Sequence, residues 1–96
     1  MSGYIIYHYN ILDQELINEL GPLSLPILEK YGGELLVGSP ATCLEGSPYT
    51  HMVVYKFDSK ESAKAFYESE ESRELSKLRN KVTEGFAVFV PEYRNT

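Results

Sequence analysis

Residues 3–11 read GYIIYHYNI and residues 86–90 read FAVFV, and these two stretches decide the fold class. Both are rich in β-branched and aromatic residues, which favour strands. Side chains alternate between the two faces of a strand. In the first stretch one face carries Ile5, Tyr7, Tyr9 and Ile11, and the other carries Tyr4, Ile6, His8 and Asn10. Both faces are largely apolar or aromatic, so each is expected to pack against another part of the structure.

A long helical pattern follows the first strand. Asp13 opens it, and apolar residues recur on one helix face as far as Ile27. Gly21-Pro22 is expected to break or kink this helix into two shorter pieces, because proline removes a backbone donor and clashes with the preceding turn. Tyr31-Gly32-Gly33 is interpreted as the end of the helix.

The rest of the chain continues the alternation. A second strand is predicted from Glu34 to Val37, with an extension to Cys43, and a turn over residues 44–49. Residues 50–57 form a third strand. A helix follows, started by Asp58 or Ser59, and Ser69 caps a further helical stretch over residues 70–80 before the last strand.

The order strand, helix, strand, strand, helix, strand predicts an α+β fold of the ferredoxin-like βαββαβ type, in one domain over residues 1–96. Its four-stranded antiparallel sheet would carry the helices on one face. The other face is also apolar, and a bare face of that size is unusual for a monomer. A homodimer through the open sheet face is therefore predicted. The alternative is that tyrosine and methionine simply decorate a solvated face.

Composition excludes several partners. The net charge of −5 and pI of about 4.9 disfavour nucleic acid, since phosphates would be repelled. No apolar run approaches the ~20 residues that span a membrane. The first residues show no secretory signal, so a cytoplasmic location is expected. Cys43 is the only cysteine, which rules out a disulfide within the chain, and no metal site or cofactor is predicted.

Several short motifs, in this order and spacing, resemble a known family. They are Gly3-Tyr4, Tyr31-Gly32-Gly33, Leu36-Val37, Leu44-Glu45-Gly46, Val53-Val54, Ser59 with Glu61 and Ala63, Phe66-Tyr67, Ser69, Glu71 and Leu78-Arg79. Together they are similar to short bacterial domains of unknown function in the dimeric α+β barrel superfamily. Glu70, Ser72 and Phe66 depart from the family pattern. The resemblance implies a homodimer in which the two sheets face each other. It implies no particular activity, since a shared fold does not identify the reaction that a protein catalyses.

Three residues are predicted to carry chemistry. His8 could act as a general base near neutral pH, or serve as a hydrogen-bonded core or interface residue. Arg79 could clamp a carboxylate or enolate, or form a surface ion pair with a nearby glutamate. Tyr67 could donate its hydroxyl to a ligand, or belong to the core beside Phe66.

The remaining candidates have weaker signals. Glu45 and Tyr31 are predicted as ligand-binding residues, against the alternatives of a solvated loop carboxylate and a helix-terminating residue. Cys43 is interpreted as a buried thiol. In the predicted topology the first and third strands are parallel neighbours, so His8 and His51 should lie toward opposite ends of the sheet and share no metal.

The leading hypothesis is a dimeric small-molecule-binding protein with a cleft between sheet and helices. Such a cleft would suit cofactor-free acid/base chemistry on an enolisable or aromatic substrate. The alternative is a non-catalytic ligand-sensing or interaction module. In a third interpretation, the dimer interface fills the sheet face and leaves no ligand cavity.

Overall fold

The computed structural model describes residues 1–93 and confirms the predicted α+β fold. The element order is β1 (Gly3–Ile11), α1 (Gln14–Lys30), β2 (Glu34–Pro40), β3 (His51–Phe57), α2 (Lys60–Glu68), α3 (Glu70–Val82) and β4 (Thr83–Pro91). The strands form one four-stranded sheet in the order β2-β3-β1-β4, and every neighbouring pair is antiparallel. The helices pack on one side of this sheet, which we call the inner face. The other side is the open face.

The core lies under the helices and over the two central strands. It consists of Ile5, Tyr7, Leu28, Tyr55, Phe57, Ala63 and Phe66. Strand β1 follows the predicted alternation, because Ile5 and Tyr7 are buried on the inner face while Tyr4, Ile6 and His8 are half-buried on the open face. The helices do not cover the edge strands equally well. The inner-face residues Leu35 of β2 and Phe89 of β4 remain 43% and 37% exposed.

The predicted parallel pairing of the first and third strands is wrong. Strand β1 runs antiparallel to β3, with Tyr9 opposite His51 and Gly3 opposite Phe57. The reason is topological. Helix α1 connects β1 to β2 by a crossover, so these two strands run in the same direction. Strand β3 lies between them and runs antiparallel to both.

Helix α1 is continuous through Pro22 and Pro26, which corrects the predicted break at Gly21-Pro22. Both prolines lie on the exposed side of the helix, where water can reach the backbone carbonyls that lose their partners. The Ser24 hydroxyl also donates to the Leu20 carbonyl at 3.0 Å. Burial of Leu28 on the other side of the helix holds it against the sheet.

A short polar residue caps the N-terminus of each of the three helices. Asp13 accepts a hydrogen bond from the Leu16 amide at 3.2 Å, as expected of an N-cap. Ser59, and not Asp58, caps α2, and Ser69 caps α3. Helix α3 runs two residues beyond the predicted end at Asn80, to Val82. No helix among residues 1–93 has the length and apolar character needed to cross a bilayer.

Candidate functional site

Arg79 is held in the space between helix α3 and the inner face of the sheet. It lies in the last turns of α3 and is half-buried. Its guanidinium carbon lies 4.4 Å from the centroid of the Tyr7 ring, within the range of a cation–π contact. One terminal nitrogen donates to the Ser76 hydroxyl one turn earlier, at 2.9 Å. Two contacts on different elements therefore fix the direction of the guanidinium.

No carboxylate neutralises this charge within the described residues. Their two ion pairs join Lys30 to Glu71 at 2.8 Å and Lys77 to Glu74 at 3.2 Å, and neither includes Arg79. The predicted alternative, a surface ion pair of Arg79 with a glutamate, is therefore not what residues 1–93 show. A half-buried positive charge without an acidic partner attracts an anion.

The groups that surround Arg79 are phenols. Burial raises the pKa of Tyr7 from 10.0 to about 12, although the nearby Arg79 charge acts in the opposite direction. Burial also raises the pKa of Tyr9 and of Tyr55, again opposed by Arg79. These phenols are neutral at physiological pH, so their hydroxyl groups can donate hydrogen bonds and do not neutralise the arginine.

Arg79 borders two cavities on the inner face. The larger, about 340 Å³, opens toward β4 and is called the Arg79 chamber. It is lined by Tyr7, Tyr9, Tyr67, Arg79, Asn80, Thr83, Glu84, Gly85, Phe86 and Ala87. The smaller, about 100 Å³, lies under α1 and shares only Tyr7, Tyr9 and Arg79 with it. Only the larger cavity lies within the volume range of typical ligand pockets.

Small residues on the inner face of β4 create the space. Gly85 and Ala87 stand opposite Tyr9 and Tyr7 in the strand pairing, where a core strand would carry large side chains. A side chain at Gly85 would collide with the backbone of His8 and Tyr9. The Arg79 chamber is therefore a consequence of the residue pattern of β4.

His8 lies on the other side of the sheet. It alternates with Tyr7 along β1 and so points to the open face, away from Arg79 and Tyr67. Its Nε2 is 3.2 Å from the Ser47 hydroxyl, and its ring makes edge contacts with Tyr49 and Phe86 at 5.3 and 5.7 Å. The expected cleft that would unite His8, Arg79 and Tyr67 in one chain is therefore corrected: only Arg79 and Tyr67 share a chamber.

His51 and His8 lie at the same end of the sheet, which corrects the predicted placement at opposite ends. Because β1 and β3 are antiparallel, Tyr9 pairs with His51 and both point to the inner face. The two rings stack with centroids 5.9 Å apart. The histidines thus occupy opposite faces, and residues 1–93 hold no group of three or more metal-ligating side chains.

The two predicted ligand-binding residues lie outside the Arg79 chamber. Glu45 lines a shallow depression of about 520 Å³ on the open face, together with His8, Ser47, Tyr49 and Cys43. Cys43 is exposed, so its interpretation as a buried thiol is wrong. Tyr31 is the C-cap of α1, and its ring packs edge-on against Phe66 with centroids 6.3 Å apart.

Sequence reasoning missed Tyr7, Tyr9 and Tyr55 as site residues. Their positions on the inner faces of β1 and β3 made them look like ordinary core residues. The available signal was the pairing of two of them, Tyr7 and Tyr9, with the small residues Ala87 and Gly85 on the neighbouring β4.

The fold and its inner chamber define a ferredoxin-like α+β protein with helices on one sheet face. The sequence matches the family of domains of unknown function DUF1330 over residues 2–93, so the chain belongs to that family. No functionally curated protein matches it.

Solved structures share the fold at low sequence identity. A protein of unknown function from Rhodopseudomonas palustris is 14% identical, with a TM-score of 0.79 over 98% of this chain and 84% of that one. A dimeric ferredoxin-like protein of unknown function from Bacteroides fragilis is 12% identical, with a TM-score of 0.64 over 95% and 96%. SnoaB, a cofactor-independent oxygenase from Streptomyces nogalater, is 1% identical, with a TM-score of 0.72 over 98% and 95%. These similarities concern the fold alone.

Proposed function

We propose that the protein is a homodimer whose subunits each bind a small organic anion in the Arg79 chamber. The observation that carries the proposal is the Arg79 guanidinium, half-buried, stacked on Tyr7 and without a carboxylate partner among residues 1–93. Arg79 differs from the exposed cations in being half-buried among phenols that are neutral at physiological pH, and such a cation is suited to a ligand's negative charge.

The geometry favours a planar anionic group such as a carboxylate or an enolate. A guanidinium presents parallel N–H donors that match such a group in two places at once. One terminal nitrogen is engaged by Ser76, which leaves the remaining donors for the ligand. Tyr67, which also lines the chamber and is 44% exposed, supplies a further hydroxyl.

The dimer is supported by the open face. Its centre carries Ile6, Met52, Val54, Phe86 and Val88. From the spacing and rise of strands, four strands of this length give a face of about 500 Å², as large as the biggest apolar patches of monomers. A second copy would cover it by a self-complementary contact. The dimeric state of the Bacteroides fragilis protein, which has the same fold, supports this arrangement.

Binding without turnover and enolisation of the bound anion are separate candidates. Enolisation needs a base beside Arg79. Glu84 lines the chamber, but its carboxylate accepts a hydrogen bond from Asn10 at 3.2 Å on the open face, so among the described residues it does not supply that base. His8 cannot fill that role from the open face of the same chain. Deuterium incorporation at C3 of phenylpyruvate, the methylene beside its keto group, can be followed by NMR in D2O and distinguishes the two, since only an enolising protein accelerates the exchange.

For His8 we propose a structural role at the edge of the dimer interface. Its contact with Ser47 holds the segment between β2 and β3 against the open face. The Ser47 hydroxyl also accepts a hydrogen bond from the Tyr49 amide at 3.2 Å. One hydroxyl therefore contacts both the sheet, through His8, and the backbone of its own segment, through Tyr49.

Titration with benzoate by isothermal calorimetry tests the anion site. The proposal predicts saturable binding of one benzoate per subunit, no binding of benzamide, and a loss of at least tenfold in affinity for Arg79→Gln. Arg73→Gln is the matched control, because Arg73 is exposed on the same helix and lines neither cavity beside Arg79. Equal losses in both variants, or equal binding of benzamide, would contradict the proposal.

A further inference from the structure

A second cavity adjoins the Arg79 chamber along β4. This outer cavity of about 310 Å³ is lined by Ile5, Lys60, Ala63, Lys64, Tyr67, Glu68, Ala87, Val88 and Phe89. Two residues, Tyr67 and Ala87, line both cavities. The two spaces therefore adjoin one another at Tyr67 and the small Ala87.

The outer cavity differs from the Arg79 chamber in chemistry. Its floor and inner wall are apolar: Ile5 and Ala63 are buried there, and Phe89 is partly exposed to it. Lys60 and Lys64, one helical turn apart on α2, stand at its rim, with Glu68 one turn further along. The Arg79 chamber holds a half-buried guanidinium among phenols, whereas the charged groups of the outer cavity are exposed side chains around its apolar surface.

The outer cavity lies between α2 and β4, where the inner face of the sheet is less closely covered than at the central strands. Helix α2 packs over β1 and β3, where Tyr55, Phe57 and Phe66 close the core. The inner face of β4 is left partly open, which explains the exposure of Phe89, a large apolar residue on the helix side of the sheet. From Gly85 to Phe89 this trough extends about 13 Å along the strand.

We infer that the natural ligand is an elongated amphipathic anion. Its carboxylate or enolate head lies at Arg79, and its apolar body passes between Tyr67 and Ala87 into the outer cavity. This inference rests on the proposed anion site and adds the shape of the ligand. The charge of Arg79 fixes which end of the ligand faces which cavity, since an apolar tail gains nothing beside an uncompensated guanidinium.

The other space beside Arg79 does not fit such a body. The cavity under α1, lined by Ile17, Leu20 and Ser24, has only about 100 Å³. A tail directed there would have to displace core side chains, which costs packing energy.

A series of straight-chain carboxylates from acetate to decanoate tests the inference by calorimetry and NMR. Each methylene buried in the outer cavity should tighten binding by roughly threefold. Intermolecular NOEs of the terminal methyl group should go to Ala63 and Ile5, and those of the carbon beside the carboxylate to the Tyr7 and Tyr9 rings.

Phe89→Ala changes a residue that lines the outer cavity and not the Arg79 chamber, so it should reduce the gain with chain length while leaving acetate and propionate binding unchanged. Should that variant fail to fold, the NOE pattern in the unmodified protein decides alone. Affinity that does not grow with chain length, or a methyl group that contacts Ile17 and Leu20, would overturn the inference and leave the anion site intact. Absence of binding by every carboxylate, benzoate included, would instead remove the anion site itself and the inference with it.

Discussion

The guanidinium of Arg79 lies face-on to the ring of Tyr7, with 4.4 Å between the guanidinium carbon and the ring centroid. Tyr7 is 5% exposed, so the arginine sits on a fixed aromatic platform. Such a contact stabilises the charge by roughly 1–2 kcal/mol when it is partly desolvated.

The pH dependence of stability should report on Tyr7. Its pKa in the folded protein is about 12, above the usual 10.0, so the folded state favours the protonated phenol. This contribution is fully present below pH 10 and is lost between pH 10 and 12, where the unfolded chain ionises first. A difference of this size corresponds to roughly 3 kcal/mol. Urea unfolding at a series of pH values should show the loss, and Tyr7→Phe should flatten the profile.

Spectrophotometric titration of the phenols supplies the control. Tyr7→Phe should remove one group that ionises near pH 12, and Arg79→Gln should raise the pKa of Tyr7 further, because the arginine charge lowers it. A Tyr7 that ionises near pH 10 in the folded protein would show that it is not desolvated as described.

Pro22 should weaken the fold. It lies inside α1 on the exposed side, where it removes a backbone hydrogen bond and gains no packing. Pro22→Ala should stabilise the protein by about 1–2 kcal/mol, since the helical gain is reduced by the greater freedom of the unfolded chain. Urea denaturation measures the change. Pro91→Ala, at the end of β4, is the control and should have little effect, whereas a destabilised Pro22→Ala would mean that the helix depends on this proline.

The open face should determine assembly. Val54 is half-buried on the open face of β3, and Val54→Asp would place two like charges near each other across a two-fold sheet contact. Sedimentation equilibrium should show a dimer for the unmodified protein and a monomer with unchanged circular dichroism for this variant. Leu23→Asp, on the exposed part of α1, should remain dimeric. A folded Val54→Asp that stays dimeric would exclude this face as the interface.

The Ser47 contact should order the segment between β2 and β3. Ser47→Ala removes both the partner of His8 and the acceptor of the Tyr49 amide. Hydrogen exchange at Tyr49 should become at least tenfold faster, because loss of one or two such bonds destabilises the closed segment by about 1–2 kcal/mol. Thr42→Ala in the same segment is the control. Unchanged exchange in Ser47→Ala would remove the proposed role of His8.

The sequence was sufficient for the fold because its signals were local and mutually consistent. The alternation in β1, the caps at Asp13 and Ser69 and the glycine pair after Tyr31 each indicated the element that forms. The predicted break at Pro22 was wrong because the free-energy cost of a proline within a helix depends on whether it lies on the side that faces water. Only the packing of the helix shows which side that is. The burial of Cys43 was also misjudged, because the exposure of a residue between two strands depends on how the chain packs.

The candidate site was predicted only in part. Arg79 and Tyr67 line one chamber, while their roles toward a ligand stay a prediction. His8 was grouped with them because alternation alone does not say which strand face the helices cover. The orientation of β3 decided the relation between the two histidines, and a misassigned strand direction placed them at the wrong ends.

The most direct test of the account is the ¹⁵N–¹H side-chain spectrum of the arginines during a benzoate titration. Arg79→Gln identifies the Arg79 Nε resonance by its absence, and Arg73→Gln identifies that of Arg73. The account predicts that the Arg79 resonance shifts saturably with added benzoate while the Arg73 resonance stays in place. An Arg79 resonance that does not move, or one that shifts linearly together with that of Arg73, would contradict the claim that Arg79 forms an anion site.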